Sequence, residues 1–259
     1  MTIILACALS ASAQSPAVQA HASQPHWITP LVTFTPLLEQ EYRFDLDADS
    51  PGIGSGGSVD YGGGKGLELI PWARTEVVIG EPGYQASSNP GLSSGWGDLS
   101  GAIKFRLAAA PAGQGDYVAT IFLTATAPTG TPGVAPPVGS LTPGIGLGKG
   151  WGPWDVQTTV GVTYYHARTA DLGTPLAWNT AVQYHWGRRV WPQLEFSPTW
   201  WVSGPNAGHA EMLLTPGVVV GKIPLAGRLG LTAGVGEEIA TTGEAPFRHR
   251  FIVSVRLPF

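Results

Sequence analysis

His249-Arg250-Phe251-Ile252-Val253-Ser254-Val255-Arg256-Leu257-Pro258-Phe259 alternates with period two. Phe251, Val253, Val255, Leu257 and Phe259 fall on one face; Arg250, Ser254 and Arg256 fall on the other. Successive side chains of a strand point to opposite sides, so one face suits hydrocarbon and the other carries charge. Taken alone, the segment also suits an edge strand of a soluble sandwich. The rest of the chain decides between the two.

The pattern recurs. Residues 38–47 set Leu38, Gln40, Tyr42, Phe44 and Leu46 against Glu39, Glu41, Arg43 and Asp45. Residues 98–108 set Leu99, Ile103, Phe105 and Leu107 against Asp98, Ser100, Lys104 and Arg106. Residues 153–165 and 175–186 do the same, with Trp154, Val156, Val160, Trp178, Val182 and Tyr184 on the apolar side. Further strand patterns run near 65–70, 75–81, 116–126, 140–149, 190–202, 209–220 and 226–237. The reading is an all-β, antiparallel up-and-down transmembrane barrel of about twelve strands, most of them long enough to cross a bilayer when tilted.

Composition agrees. Charged residues are only 12% of the 259, about half the share in an ordinary soluble domain. The absence of any run of about 18 apolar residues excludes helical membrane spans. Interspersed Val, Leu, Ile and Trp exclude a disordered chain. With 14 basic and 18 acidic residues, there is no electrostatic footprint for nucleic acid.

Connection lengths supply an independent test. Long ones at 48–64, 82–97, 127–139, 166–174, 203–208 and 238–246 alternate with short ones at Pro71–Arg74, Ala109–Gly115, Gly150–Gly152, Gly187–Arg189 and about Gly221–Leu225. Outer-membrane barrels have short periplasmic turns, long external loops and an even strand number. Trp72, Trp151, Trp154, Trp186 and Trp191 near short turns, with Trp96 and Trp200 near long loops, fit interfacial aromatic girdles.

Gly97-Asp98-Leu99-Ser100, then Lys104-Phe105-Arg106-Leu107, then Ala127-Pro128-Thr129-Gly130 resemble the outer-membrane family named for the MetA pathway of phenol degradation. The turns Trp72-Ala73-Arg74 and Gly187-Arg188-Arg189 look like variants of its recurring T-D-R turns. The resemblance covers most of the chain beyond residue 38 and implies a channel, since members are commonly assigned as transporters. Phe259 at the end of an alternating strand resembles the signal that the barrel assembly machinery reads. A bacterial outer-membrane location among outer-membrane lipids follows from the same reading.

Enzyme motifs are weak. Gly144–Gly150 lacks both the first glycine and the Ser/Thr of a phosphate loop. Gly91-Leu92-Ser93-Ser94-Gly95 matches G-x-S-x-G, but a strand pattern follows where a nucleophile elbow needs a helix. His209 with Glu211 is the nearest approach to a metal pair. No catalytic residue, metal or cofactor is expected.

The informative groups face the lumen. Closure pairs the first and last strands, which places Glu39 and Glu41 near Arg256 and Asp45 near Arg250, with Arg43 on the same face. Glu68 and Glu76 face inward beside Lys104 and Arg106, while Gln183, His185, Gln193 and Glu195 cluster across the Gly187–Arg189 turn. These ladders serve as structural pairs or as a solute-selective constriction. Pro198 and Pro216, on consecutive strands, raise the further possibility of a bulged seam for lateral exit.

Residues 1–13 read as a secretory signal peptide ending Ala11-Ser12-Ala13. Residues 14–37 read as a periplasmic segment or a lumenal plug, and 38–259 as the barrel. Three functions remain open: a passive channel for small molecules, hydrophobic or aromatic ones among them; a plugged structural or surface-binding barrel; and an outer-membrane lipid hydrolase.

Overall fold

The computed structural model describes residues 15–50, 57–63, 65–89, 91–243 and 245–259. The leader expected at 1–13, with Cys7, lies outside them. The first strands are β1 (Glu41–Ser50), β2 (Ser58–Tyr61), β3 (Gly66–Trp72), β4 (Thr75–Gly80), β5 (Tyr84–Ser87) and β6 (Gly95–Trp96). Then come β7 (Leu99–Ala110), β8 (Tyr117–Ala127), β9 (Ser140–Trp151), β10 (Trp154–Val162) and β11 (Tyr164–Tyr165). The sheet finishes with β12 (Pro175–Tyr184), β13 (Val190–Trp201), β14 (Ala210–Ala226), β15 (Leu229–Ala240) and β16 (His249–Pro258). Helix α1 spans Pro16–Ala22, and a short α2 spans Thr169–Leu172.

Each strand pairs antiparallel with its neighbours, and β16 pairs with β1. The result is a closed, twelve-stranded antiparallel barrel. β2 with β3, β4 with β5, β6 with β7 and β10 with β11 each continue one crossing of the wall. Closure removes the free edges that an open sheet would expose.

The alternation sorts the side chains. Leu99, Ile103, Phe105, Leu107, Ile121, Leu123, Ile145, Leu147, Phe196 and Phe251 stand exposed on the outside. Trp72, Trp151, Trp154 and Trp186 ring the short-turn end, and Trp96 lies toward the long loops. Inward positions are polar and buried instead, among them Arg43, Lys104, Gln157 and Glu195.

Several expectations are corrected. Strands continue into the regions read as loops: β2 lies within 48–64, and β5 and β6 within 82–97. Gly221–Leu225 is no turn, because β14 runs through it with register shifts after Val220 and after Pro224, and the turn falls after Ala226. Trp191 is only 6% exposed and stacks on His185 at 4.0 Å inside the barrel. Its odd number shares the inward parity of Gln193 and Glu195. Leu38, placed on the lipid side by its period, instead packs inside with Ala17, Ala20 and Ile70.

The two prolines do not open the ladder that their strands share. The β13–β14 register runs unshifted from Val190–Val220 to Trp200–Ala210, through Leu194–Pro216 and Pro198–Met212. Near the prolines pairing lapses on the outer flanks of these two strands, opposite each proline, with register kept across each gap. A missing N–H is tolerated there without a bulge.

Candidate functional site: the occupied lumen and the chamber above it

Residues 15–40 lie inside the barrel, toward the short-turn end. Ala20, Gln24, Thr33, Thr35, Leu37 and Leu38 are each at most 1% exposed. Ser15 caps α1, Pro16 supplies its first position, and the rest of the segment is irregular, with bends at 31–33 and 36–37. A chain outside helix and sheet has few internal partners for its N–H and C=O groups, so inside a lumen the wall must supply them.

It does, residue by residue. Glu195 accepts the N–H groups of Leu31, Val32 and Thr33 at 2.8, 2.9 and 2.6 Å. Arg256 donates to the carbonyls of Thr29 and Pro30 at 2.5 and 2.8 Å. Arg43 donates to Pro30 at 3.2 Å and also to the Leu31 carbonyl. Gln157 donates to the Ile28 carbonyl and accepts from Thr35 Oγ1. Lys104 donates to the Leu37 carbonyl at 2.7 Å. Arg106 holds the Ala20 carbonyl, Ser23 Oγ and Gln24 Oε1, and Gln24 in turn brackets the backbone of Leu38.

Apolar contacts complete the seat. A Cβ added at Gly217, Gly234 or Gly236 would lie 2.5–2.7 Å from Leu31, and one at Gly148 would lie 2.5 Å from Trp27. Gly148, within the glycine-rich stretch 144–150, is thus a socket for the Trp27 ring. Trp27, Ile28, Leu31 and Leu37 form one buried cluster with Val118, Trp191 and Val219.

The predicted lumenal residues divide accordingly. Glu76 meets Lys104 at 2.9 Å, both fully buried, and accepts the Glu39 N–H. Glu39 bonds Lys222 at 3.3 Å. Glu41 stands directly opposite Glu68. Gln183 and Gln193 extend the amide chain from Gln157 to Glu195. His185 lies beyond the end of β12 and stacks on Trp191 rather than joining that chain.

The closure register differs from the expected one. Arg43 faces Arg256, Asp45 faces Ser254 and Asp49 faces Arg250. Asp45 therefore pairs with Arg43 at 2.8 Å, and Arg250 pairs with Asp49 and Glu238 at 2.6 and 3.3 Å. The expected Asp45–Arg250 pair does not form. Arg256 spends its donors on Ser254 and the plug rather than on Glu39 or Glu41. Period two fixes the face of a strand but permits any even slip.

Burial holds the His21 imidazole below its ordinary range, against the upward pull of Glu39. Among the described residues, no three His, Cys, Asp or Glu side chains are placed to hold a metal ion. Ser93 is exposed in the loop between β5 and β6.

Above the plug lies a chamber of about 390 Å³, floored by Leu31, Val32 and Phe34 and walled by Phe122, Arg43, Asp47, Lys65 and Arg250 among others. Most of its wall positions, such as Ser100, Thr124, Thr142, Gly161 and Arg250, belong to the long-loop halves of the strands.

No family model matches the sequence, and no curated protein matches it. Solved structures do. NanC porin superposes with a TM-score of 0.55 at 6% identity, covering 83% of this chain and 98% of its own. An outer-membrane channel from Pseudomonas putida F1 gives a TM-score of 0.55 at 14% identity, covering 89% of this chain and 98% of its own. Both share the fold. At these identities the likeness concerns architecture alone.

Proposed function

We propose that the chain is a bacterial outer-membrane channel for passive passage of small molecules, hydrophobic or aromatic ones among them, in which the N-terminal segment is a built-in stopper. The observation that carries this reading is that Glu195, Arg43, Arg256, Lys104 and Gln157 all bond the backbone of residues 28–37. If that backbone withdraws, the same groups line a polar passage, and their charges set its selectivity. Two similar barrels being a porin and an outer-membrane channel supports it. So does the resemblance of Gly97–Leu99, Lys104–Leu107 and Pro128–Gly130 to the phenol-degradation family. In this reading Phe259, 39% exposed at the short-turn end, addresses the chain to the assembly machinery, and the exposed apolar belt meets lipid.

Planar-bilayer recording tests the proposal. The full chain should conduct in rare, discrete steps, and a variant lacking residues 15–37 should conduct more often or with larger steps. Altered mobility of unboiled samples in SDS reports that each barrel has closed. A closed but silent barrel, with no liposome swelling, refutes the channel. It would favour the surface-binding alternative, for which the chamber floored by the plug is the specific support.

A further inference from the structure

The second crossing of the wall is broken where the chamber begins. Tyr61 faces Leu46 and Gly66 faces Arg43, so this strand spends five residues while β1 spends three. The excess is taken up by an irregular stretch with Gly62, Gly63 and Gly66 at φ +74, +96 and +100. At Gly66 a Cβ would collide with the Ile79 carbonyl at 2.6 Å. Such an insertion re-aims a side chain. Here it sends Lys65 inward, 9% exposed, with Nζ over the Phe34 ring at 5.7 Å.

The charges on the chamber wall then nearly cancel in pairs. Arg43 is matched by Asp45, and Arg250 by Glu238 and Asp49. One group of each sign is left over. Lys65 Nζ and Asp47 Oδ1 are both buried atoms without a hydrogen-bond partner among the described residues, and both residues line the chamber. Burying a charged group without a partner is expensive, so two such groups facing one cavity call for a ligand. They are separated along the wall. Asp47 pairs with Asp60 of β2, whereas Lys65 adjoins Gly66, which pairs with Arg43, so their backbone positions stand up to four residues of β1 apart, at most about 13 Å at the strand rise. The same chamber is lined by Phe34, Phe122, Val32, Val78 and Ile252.

We infer that the chamber binds an elongated zwitterion, its carboxylate on Lys65 and its ammonium on Asp47, with an apolar or aromatic body against Phe34 and Phe122. A cavity of about 390 Å³ is within the usual range for small-molecule sites. The inference deepens the channel reading and rests on it for entry from the long-loop side, but binding is measurable without passage.

The test is calorimetric titration of the full chain in detergent with 4-(aminomethyl)phenylacetate, a rod with its charges at opposite ends. Its single-charge relatives 4-methylphenylacetate and 4-methylbenzylamine serve as comparison. The zwitterion should bind about tenfold or more tighter than either, the size of one hydrogen bond to a charged group. Lys65→Met should reduce it to the level of the amine, and Asp47→Asn to the level of the acid, with heat-modifiable mobility confirming closure of each variant. Equal affinity for the three probes, or no binding, overturns the inference, and this comparison needs no variant to fold. Binding by a barrel that never conducts keeps the site and refutes the channel; conduction without binding does the reverse.

Discussion

Glu195→Gln should loosen the plug more than any other single isosteric change in the lumen. The carboxylate accepts three consecutive backbone N–H groups and the Gln193 amide. An amide keeps one acceptor oxygen and turns an NH2 toward donors. Oε1 takes Leu31, Val32 and Gln193 while Oε2 takes Thr33, so an amide with its oxygen in the Oε1 place loses the Thr33 bond outright, a charge-assisted bond worth about 1.5–3 kcal/mol. That is roughly a 10- to 150-fold fall in the ratio of docked to undocked plug. Thr33→Cys in a Cys7→Ser background makes a suitable reporter. Thr33 is 0% exposed and its hydroxyl has no partner, so a thiol there removes no bond. If modification follows local opening, its rate tracks the opening equilibrium, and Glu195→Gln should raise it by about that factor. Glu237→Gln, at an exposed carboxylate bonded to His249, should leave it unchanged. Equal rates in the Glu195→Gln and parent proteins would refute the claim that Glu195 holds the segment.

Three further outcomes are expected. Lys104→Met leaves Glu76 buried without its cation, at a cost of about 3–5 kcal/mol; yield of heat-modifiable barrel should fall, and adding Glu76→Gln should recover much of it. Gly236→Ala puts a methyl 2.7 Å from Leu31, so Thr33→Cys labelling should accelerate, and Leu31→Ala should suppress the effect if the contact is its cause. Because burial depresses the His21 pKa, the undocked segment binds the proton more readily. Docking should weaken as pH falls through about 6.5, and the difference between the parent and His21→Gln, read by the same labelling, should vanish above that pH.

The wall was far more legible than its contents. Twelve crossings follow from alternation and connection length, because a lipid-facing strand must be apolar at every second position whatever else it does. Leu38 shows where the rule stops. It continues the alternation of Tyr42 and Phe44, yet it precedes β1 and belongs to the plug, and periodicity cannot tell the last residue of one from the first of the other. Closure depends on how far the ends slip, and an even slip changes no face. Hence Arg250 met Asp49 rather than Asp45. The partners of Glu195 and Arg256 were illegible for a different reason: a polar inward side chain reads the same whether it faces water, solute or peptide. One signal was present, since Gly144, Gly146, Gly148 and Gly150 keep one side of β9 bare of side chains, which a wall needs only where something presses against it.

Arg43 and Arg256 face each other across the junction of the first and last strands, at 2% and 1% exposure. Two guanidinium groups meeting in a buried place repel, and they meet only when the cylinder shuts. Both donate to the carbonyl of Pro30, so the segment supplies a shared negative dipole where the two cations meet. Seating the segment therefore offsets part of the repulsion that closure creates, so a closed cylinder without the segment should be the less stable one at this junction. The segment that does this is tethered beside the junction, because it leads directly into the first strand.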